Sequence, residues 1–217
     1  MGHHRIVFLG PPGSGKGTAA MELGAVLGVP HVSTGEMFRE AIRRGGPLAE
    51  TAKAFIDKGQ LVPDEITVQI VRLWLDERGR ECGFIFDGFP RTLVQAEAFD
   101  RLLAMRNLPL TVVLLLDVSE KEILERILGR LSCEKCGMLY HITRVRPKVE
   151  GICDKCGGRL IRRADDTEET VRERLRWYEQ LTMDVVRHYE AQGLLQRVDG
   201  NGIRDHAVEK VMALFRS

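Results

Sequence analysis

No stretch of this sequence approaches the ~20 consecutive apolar residues that a membrane helix needs. The first apolar run, Ile6 to Leu9, is too short even for the core of a signal peptide, and it leads straight into a glycine loop. Nor is there an excess of one charge. The 32 Lys and Arg against 31 Asp and Glu leave a formal net charge of +1, which gives no general attraction to nucleic acid or to an anionic membrane. Repeats and low-complexity segments are absent as well. The expectation is a soluble, cytoplasmic chain with no membrane or nucleic-acid partner. Five cysteines, an odd number, do not suit a closed disulfide framework, and four of them stand in two Cys-x-x-Cys pairs.

What is present is a core. Apolar residues make up 44% of 217 positions, enough for one domain with small inserted subdomains. Five apolar runs read as buried strands: Arg5–Gly10, Pro30–Ser33, Gly83–Asp87, Thr111–Asp117 and Leu195–Asp199. The third and fourth are nearly continuous, as in parallel strands covered on both faces. Helical patterns alternate with them at Lys16–Leu27, Asp64–Glu77, Leu93–Met105, Glu120–Leu131, Thr167–Gln192 and His206–Arg216. Ser119 with Glu122, and Asp166 with Glu169, read as capping boxes. The alternation specifies an α/β fold with a doubly wound, five-stranded parallel sheet.

Two stretches break the alternation and read as insertions. Residues 33–62 hold two short helices, around Glu36–Arg44 and Leu48–Lys58. Residues 129–166 hold the paired cysteines with little helical periodicity. Residues 1–32, 63–128 and 167–217 then form the core.

Gly10-Pro11-Pro12-Gly13-Ser14-Gly15-Lys16-Gly17-Thr18 lies between a predicted strand and a predicted helix. Its glycines let successive backbone N–H groups converge on one anion at a helix N-terminus. Gly13, Ser14, Gly15, Lys16, Gly17 and Thr18 are therefore candidates for binding ATP. Lys16 reaches the β- and γ-phosphates, and the Thr18 hydroxyl is placed for Mg²⁺. Such a P-loop serves motors, switches, transporters and kinases alike; the acceptor side must decide.

Cys133-x-x-Cys136 and Cys153-x-x-Cys156 are separated by 16 residues, within the zinc-ribbon range. Two such turns present four thiolates to one tetrahedral ion, with no open position for a substrate. A disulfide pair or an iron site is the lesser reading. Zn²⁺ here would be structural, a staple for a segment with too small a core of its own. Cys82, the fifth cysteine, reads as a small apolar residue.

Ser33-Thr34-Gly35-Glu36-Met37-Phe38-Arg39, and Asp87-Gly88-Phe89-Pro90-Arg91 followed by Gln95, resemble the nucleoside-monophosphate site of adenylate kinases. With the P-loop, Gly59-Gln60-Leu61-Val62 and the cysteine-bearing segment, the resemblance runs from about residue 5 to about 202. Glu36 departs from the expected Asp. The resemblance implies reversible phosphoryl transfer from ATP·Mg²⁺ to AMP giving two ADP, by a monomer. Residues 33–62 would bind the monophosphate, and 129–166 would form a zinc-binding lid.

It also implies residue roles. Arg39 and Arg91 would hold the AMP phosphate, and Arg126 and Arg130, on the helix entering the lid, would face ATP. Arg163 and Arg174 would reach the transferring group and the AMP side. Asp87 would orient Mg²⁺-bound water. Thr34 and Gln95 would bond the adenine of AMP, with Gln60, Leu61, Val62, Gly88, Phe89 and Pro90 lining its site. Leu139, Tyr140 and Gly202 would border ATP. Arginine suits the reaction, because its planar fork donates two hydrogen bonds and keeps its charge. A kinase for another monophosphate stays open as a rival. So does a zinc-ribbon nucleic-acid binder using Arg144, Arg146 and Lys148, and so does an inactive structural homologue.

Overall fold

The structure, a computed structural model, describes residues 4–56, 62–78, 83–162, 166–201 and 204–215, without the side chains of Glu36, Arg39, Ile56 and 204–208. Its main sheet is built from β1 (Arg5–Leu9), β2 (His31–Ser33), β3 (Phe84–Asp87), β4 (Val112–Asp117) and a last strand, Leu195–Asp199. All pairs are parallel, and the order is β2, β3, β1, β4, then the last strand.

Side chains alternate across this sheet with period 2. Ile6, Phe8, Ile85 and Leu114 pack on one face with Ala19, Ala20 and Leu23 of α1 (Lys16–Leu27). Val7, Leu9, Phe84 and Phe86 pack on the other. There they meet α4 (Asp64–Arg78) through Ile70, Val71 and Leu75, and α5 (Leu93–Ala104) through Ala96, Phe99 and Leu103. Both faces of the central strands β1, β3 and β4 are buried, which is why these three read as nearly unbroken apolar runs.

Between β2 and α4 lie α2 (Thr34–Arg44) and α3 (Pro47–Ile56). After α6 (Glu120–Leu128) comes a second, antiparallel sheet of β5 (Arg130–Cys133), β6 (Leu139–His141) and β7 (Leu160–Ile161), in the order β6-β5-β7. It has a small cluster of its own, Cys133, Tyr140, Cys153 and Leu160 with Leu131. The chain returns through α7 (Glu168–Trp177), a π turn (Tyr178–Thr182) and α8 (Met183–Ala191) to the last strand, now β8, and α9 (Arg204–Ala213).

Three readings are corrected. The helix after β4 stops at Leu128, because Gly129 caps it and Arg130 pairs with His141 in the small sheet. Arg130 is thus a strand residue. The long helix expected over Thr167–Gln192 is divided by the π turn. Its cap is Thr167, whose hydroxyl accepts from the Thr170 N–H, while Asp166 is committed to Arg130 instead. The box expected at Ser119 is half formed: its hydroxyl accepts from the Glu122 N–H at 3.4 Å, but its own N–H donates to Asn201 at 2.9 Å, because the Glu122 carboxylate pairs with Arg126 and Arg144. Cys82 lies outside the described residues. Among the described residues no helix is long and apolar enough to cross a membrane.

Candidate active site

Parallel register brings the P-loop and Asp87 to one edge. Phe8 near the end of β1 stands beside Asp87 at the end of β3, and Ser33 at the end of β2 stands beside Asp87 on its other side. The P-loop follows β1 with Gly13 and Gly15 at φ 79° and 96°, a left-handed conformation that a side chain resists. Gly17 comes so near β3 that a Cβ there would lie 3.0 Å from an Asp87 oxygen. Phosphate loop and carboxylate therefore share the carboxyl edge of the sheet, where open α/β folds bind ligands.

The Lys16 ammonium lies over the loop, donating to the Pro11 carbonyl at 2.8 Å and to the Ser14 hydroxyl at 3.4 Å. Removal from solvent pushes its pKa down to about 8; Asp87 opposes that shift and Arg91 adds to it. Burial alone would raise the Asp87 carboxyl, but His31, Lys16 and Arg91 outweigh it and hold Asp87 below its ordinary value. His31 Nε2 stands 3.6 Å from Asp87 Oδ2 and has no hydrogen-bond partner. That separation is too long for a hydrogen bond, so we treat the contact as electrostatic.

Arg91 follows the cis Phe89–Pro90 peptide. Its Nε donates to the Gly88 carbonyl at 2.8 Å, which also accepts from the Thr34 hydroxyl at 3.2 Å. Burial first, and the neighbouring charge of Arg174 on α7, hold the Arg91 guanidinium below its ordinary value, against the pull of Asp87. Lys16, Asp87, Arg91 and Arg174 thus feel one another's fields. Val62 and Phe89 pack against or within the core on the same side of the sheet.

Arg126 does not point into open space. Its guanidinium donates to the Ser14 carbonyl at 2.9 Å and the Gly200 carbonyl at 2.6 Å, and its Nε donates to Glu122 at 2.8 Å. It ties the P-loop to the end of β8. Arg130 forms a two-pronged pair with Asp166 at 2.9 and 2.5 Å, across the base of the small sheet. Gln95 is almost wholly buried, with its Nε2 donating to Asp64 at 2.7 Å and its Oε1 accepting from the Arg91 N–H at 2.8 Å.

In the small sheet, the four Sγ atoms of Cys133, Cys136, Cys153 and Cys156 lie within 4.8 Å of one another. Cys133 and Cys156 are 3.5 Å apart, and Cys136 and Cys153 are 3.6 Å apart. A zinc–sulfur bond of ~2.3 Å requires tetrahedral edges near ~3.8 Å, so the donor set fits one such ion. Each Cys-x-x-Cys turn is closed by a glycine N–H on the first cysteine carbonyl, from Gly137 to Cys133 at 2.9 Å and from Gly157 to Cys153 at 2.8 Å.

Tyr140 is placed otherwise than expected for a nucleotide contact. Its ring is buried with the cysteines, its hydroxyl donates to Cys153 Sγ at 3.6 Å, and it accepts the Asp154 N–H at 2.7 Å. Burial raises the Cys153 thiol, but this hydroxyl and the backbone N–H groups of Cys156 and Lys155 draw it down to about 6. Leu139 is half-buried beside Tyr140. His141 Nδ1 accepts from the Thr143 and Arg144 N–H groups, so its Nε2 carries the proton and donates to the Glu125 carbonyl at 3.1 Å.

Gln60, Leu61, Arg163 and Gly202 lie outside the described residues, as does the side chain of Arg39. His31, Asp64, Thr92, Glu122 and Asp166 were not singled out as site residues. Only their partners across the fold mark them, and no local pattern carries that signal.

The family model for adenylate kinase matches residues 8–194, most of the chain and all of the site above except Gly200 and Gly202. The chain belongs to the adenylate kinase family. It is 46% identical over 206 residues to an adenylate kinase of Clostridium tetani, covering 95% of each chain. It is 48% identical over 211 residues to one of Acetivibrio thermocellus, covering 97% of each. An archaeal relative, the adenylate kinase of Archaeoglobus fulgidus, is 48% identical over 195 residues and 90% of each chain.

Proposed function

We propose that the carboxyl edge of the main sheet performs the family's reaction, reversible phosphoryl transfer between ATP and AMP to give two ADP, with the following division of labour. The P-loop backbone from Gly13 to Thr18 cradles the ATP phosphates, and Lys16 moves from the Pro11 carbonyl onto them. Arg91 and Arg39 hold the AMP phosphate, with Arg163 and Arg174 on the transferring group. Neutralising charge is the main task, because two polyanions must meet in line.

Asp87 and the Thr18 hydroxyl offer hard oxygen donors beside the P-loop, and Asp87 is kept ionised by its cationic neighbours. They fit Mg²⁺: these two residues would help hold the ion, which would supply positive charge to offset that of the phosphates. The AMP phosphate is already ionised, so no general base is required. Asp87 orients water rather than taking a proton.

Residues 33–62 and 129–166 act as two flaps, over AMP and ATP respectively, that exclude water from the transfer. Arg126 steadies the P-loop from behind through the Ser14 carbonyl, and Arg130 reaches ATP by exchanging Asp166 for phosphate. The backbones of Leu139, Tyr140 and Gly202 border ATP, since the Tyr140 side chain serves the cysteine site. The four cysteines hold Zn²⁺, which supplies the stability that the small sheet's few apolar residues do not. Thr34, Gln95 and the 60–62 segment receive the adenine of AMP.

The observation that carries this reading is the meeting of the P-loop, with Lys16 over it, and Asp87 at one sheet edge, with Arg91 tied to Gly88 beside them. A coupled assay with ATP and each of AMP, CMP, UMP and GMP tests it. AMP should be preferred by orders of magnitude. Equal use of CMP or UMP would overturn the assignment of the acceptor.

A further inference from the structure

Gln95 sits in a frame of obligate partners. Its Nε2 donates to Asp64 Oδ1 at 2.7 Å, and its Oε1 accepts from the Arg91 backbone N–H at 2.8 Å. The other Asp64 oxygen accepts from the Thr92 hydroxyl at 2.8 Å. That hydroxyl in turn accepts the Gln95 N–H at 3.2 Å, as the cap of α5. Asp64 is thereby fixed from two sides at the first turn of α4.

A carboxylate can only accept and a backbone N–H can only donate. Asp64 therefore demands the nitrogen end of the carboxamide, and Arg91 N–H demands the oxygen end. Turning the carboxamide over would set oxygen against carboxylate and NH₂ against N–H, losing two hydrogen bonds in a nearly sealed place. Among the described residues each end keeps unused capacity, since the NH₂ has a second hydrogen and the oxygen a second lone pair. One donor and one acceptor, in a fixed order, remain for a ligand.

That order has chemical meaning for a purine. Adenine presents an acceptor at N1 and a donor at its 6-amino group. Hypoxanthine and guanine present the reverse, a donor at N1 and an acceptor at O6. A carboxamide free to turn over serves either; one locked by Asp64 serves a single kind. We propose that Asp64 is a specificity-determining positioning residue, which selects 6-aminopurine over 6-oxopurine monophosphates by fixing the direction of the Gln95 carboxamide. This rests on the reading that Gln95 meets the acceptor base.

The test compares kcat/KM for AMP and for IMP, which differ only in that edge, in the intact chain and in Asp64→Asn and Gln95→Ala. An asparagine can accept or donate, so it removes one of the two demands while keeping the shape, and leaves the Arg91 N–H to hold the oxygen end alone. Asp64→Asn should lower the AMP-to-IMP ratio about tenfold or more while leaving KM for ATP unchanged. A purely structural role would lower both substrates together and leave the ratio intact, and that result would overturn the proposal. Gln95→Ala separates the underlying reading: an unchanged KM for AMP would show that Gln95 does not meet the base. If Asp64→Asn fails to fold, the ¹⁵N-labelled unmodified chain decides. One Gln95 carboxamide proton should resonate well downfield of a free glutamine and exchange slowly. Free-glutamine behaviour would contradict the lock.

Discussion

Lys16 is the residue whose chemistry is most exposed to pH. Crowding by protein brings its pKa to about 8, so raising the pH through that value removes the ammonium from the free enzyme. The loss weakens attraction to ATP, and kcat/KM for ATP should fall above about pH 8 at saturating AMP. Bound phosphates favour the charged form, so kcat should hold to higher pH. A kcat/KM for ATP that stays flat to pH 10 would contradict the role given to Lys16. Arg91 acts on the other substrate. Arg91→Ala removes charge from beside the AMP phosphate without opening the apolar core, and should cut turnover by about 10²–10³ with the melting temperature nearly kept. Near-normal turnover in that variant would remove Arg91 from the chemistry.

The elements differ in how plainly the sequence displays them. The central strands β1, β3 and β4 are legible because both their faces are buried, so apolar residues follow one another almost without a break, whereas the edge strands β2 and β8 carry polar residues among them. The P-loop and the paired cysteines were legible because glycine and thiolate chemistry is local. The three-stranded sheet over residues 130–161 was not: its strands are two to four residues long, and its order comes from turns around the cysteines. The exchange of Asp166 from helix cap to Arg130 partner was hidden for a similar reason, since the pair spans 36 positions. So were the links of Gln95 to Asp64 and of His31 to Asp87. If four thiolates staple this small sheet, full removal of zinc should lower the melting temperature by at least about 5 °C, or ~2 kcal/mol for a chain of this size. Turnover by the molecules still folded should persist. A melting temperature unmoved by complete chelation, checked by metal analysis of the same sample, would rule out the staple.

As a whole, the molecule is nearly neutral, yet it sets Lys16 and Arg91 around Asp87 at one edge of the main sheet. Neutrality overall and positive charge in one cleft suit a small polyanionic substrate better than a long polyanion. Parallel register fixes the P-loop and Asp87 on the core sheet, and Arg91, Arg126 and Arg174 come from core segments around it. The most direct measurement of the central claim is ³¹P NMR of ATP, AMP and Mg²⁺ with the intact chain. ADP should accumulate at two per ATP consumed, and starting from ADP alone should reach the same final mixture. Release of inorganic phosphate with one ADP per ATP and no loss of AMP, or no reaction from the ADP side, would contradict it.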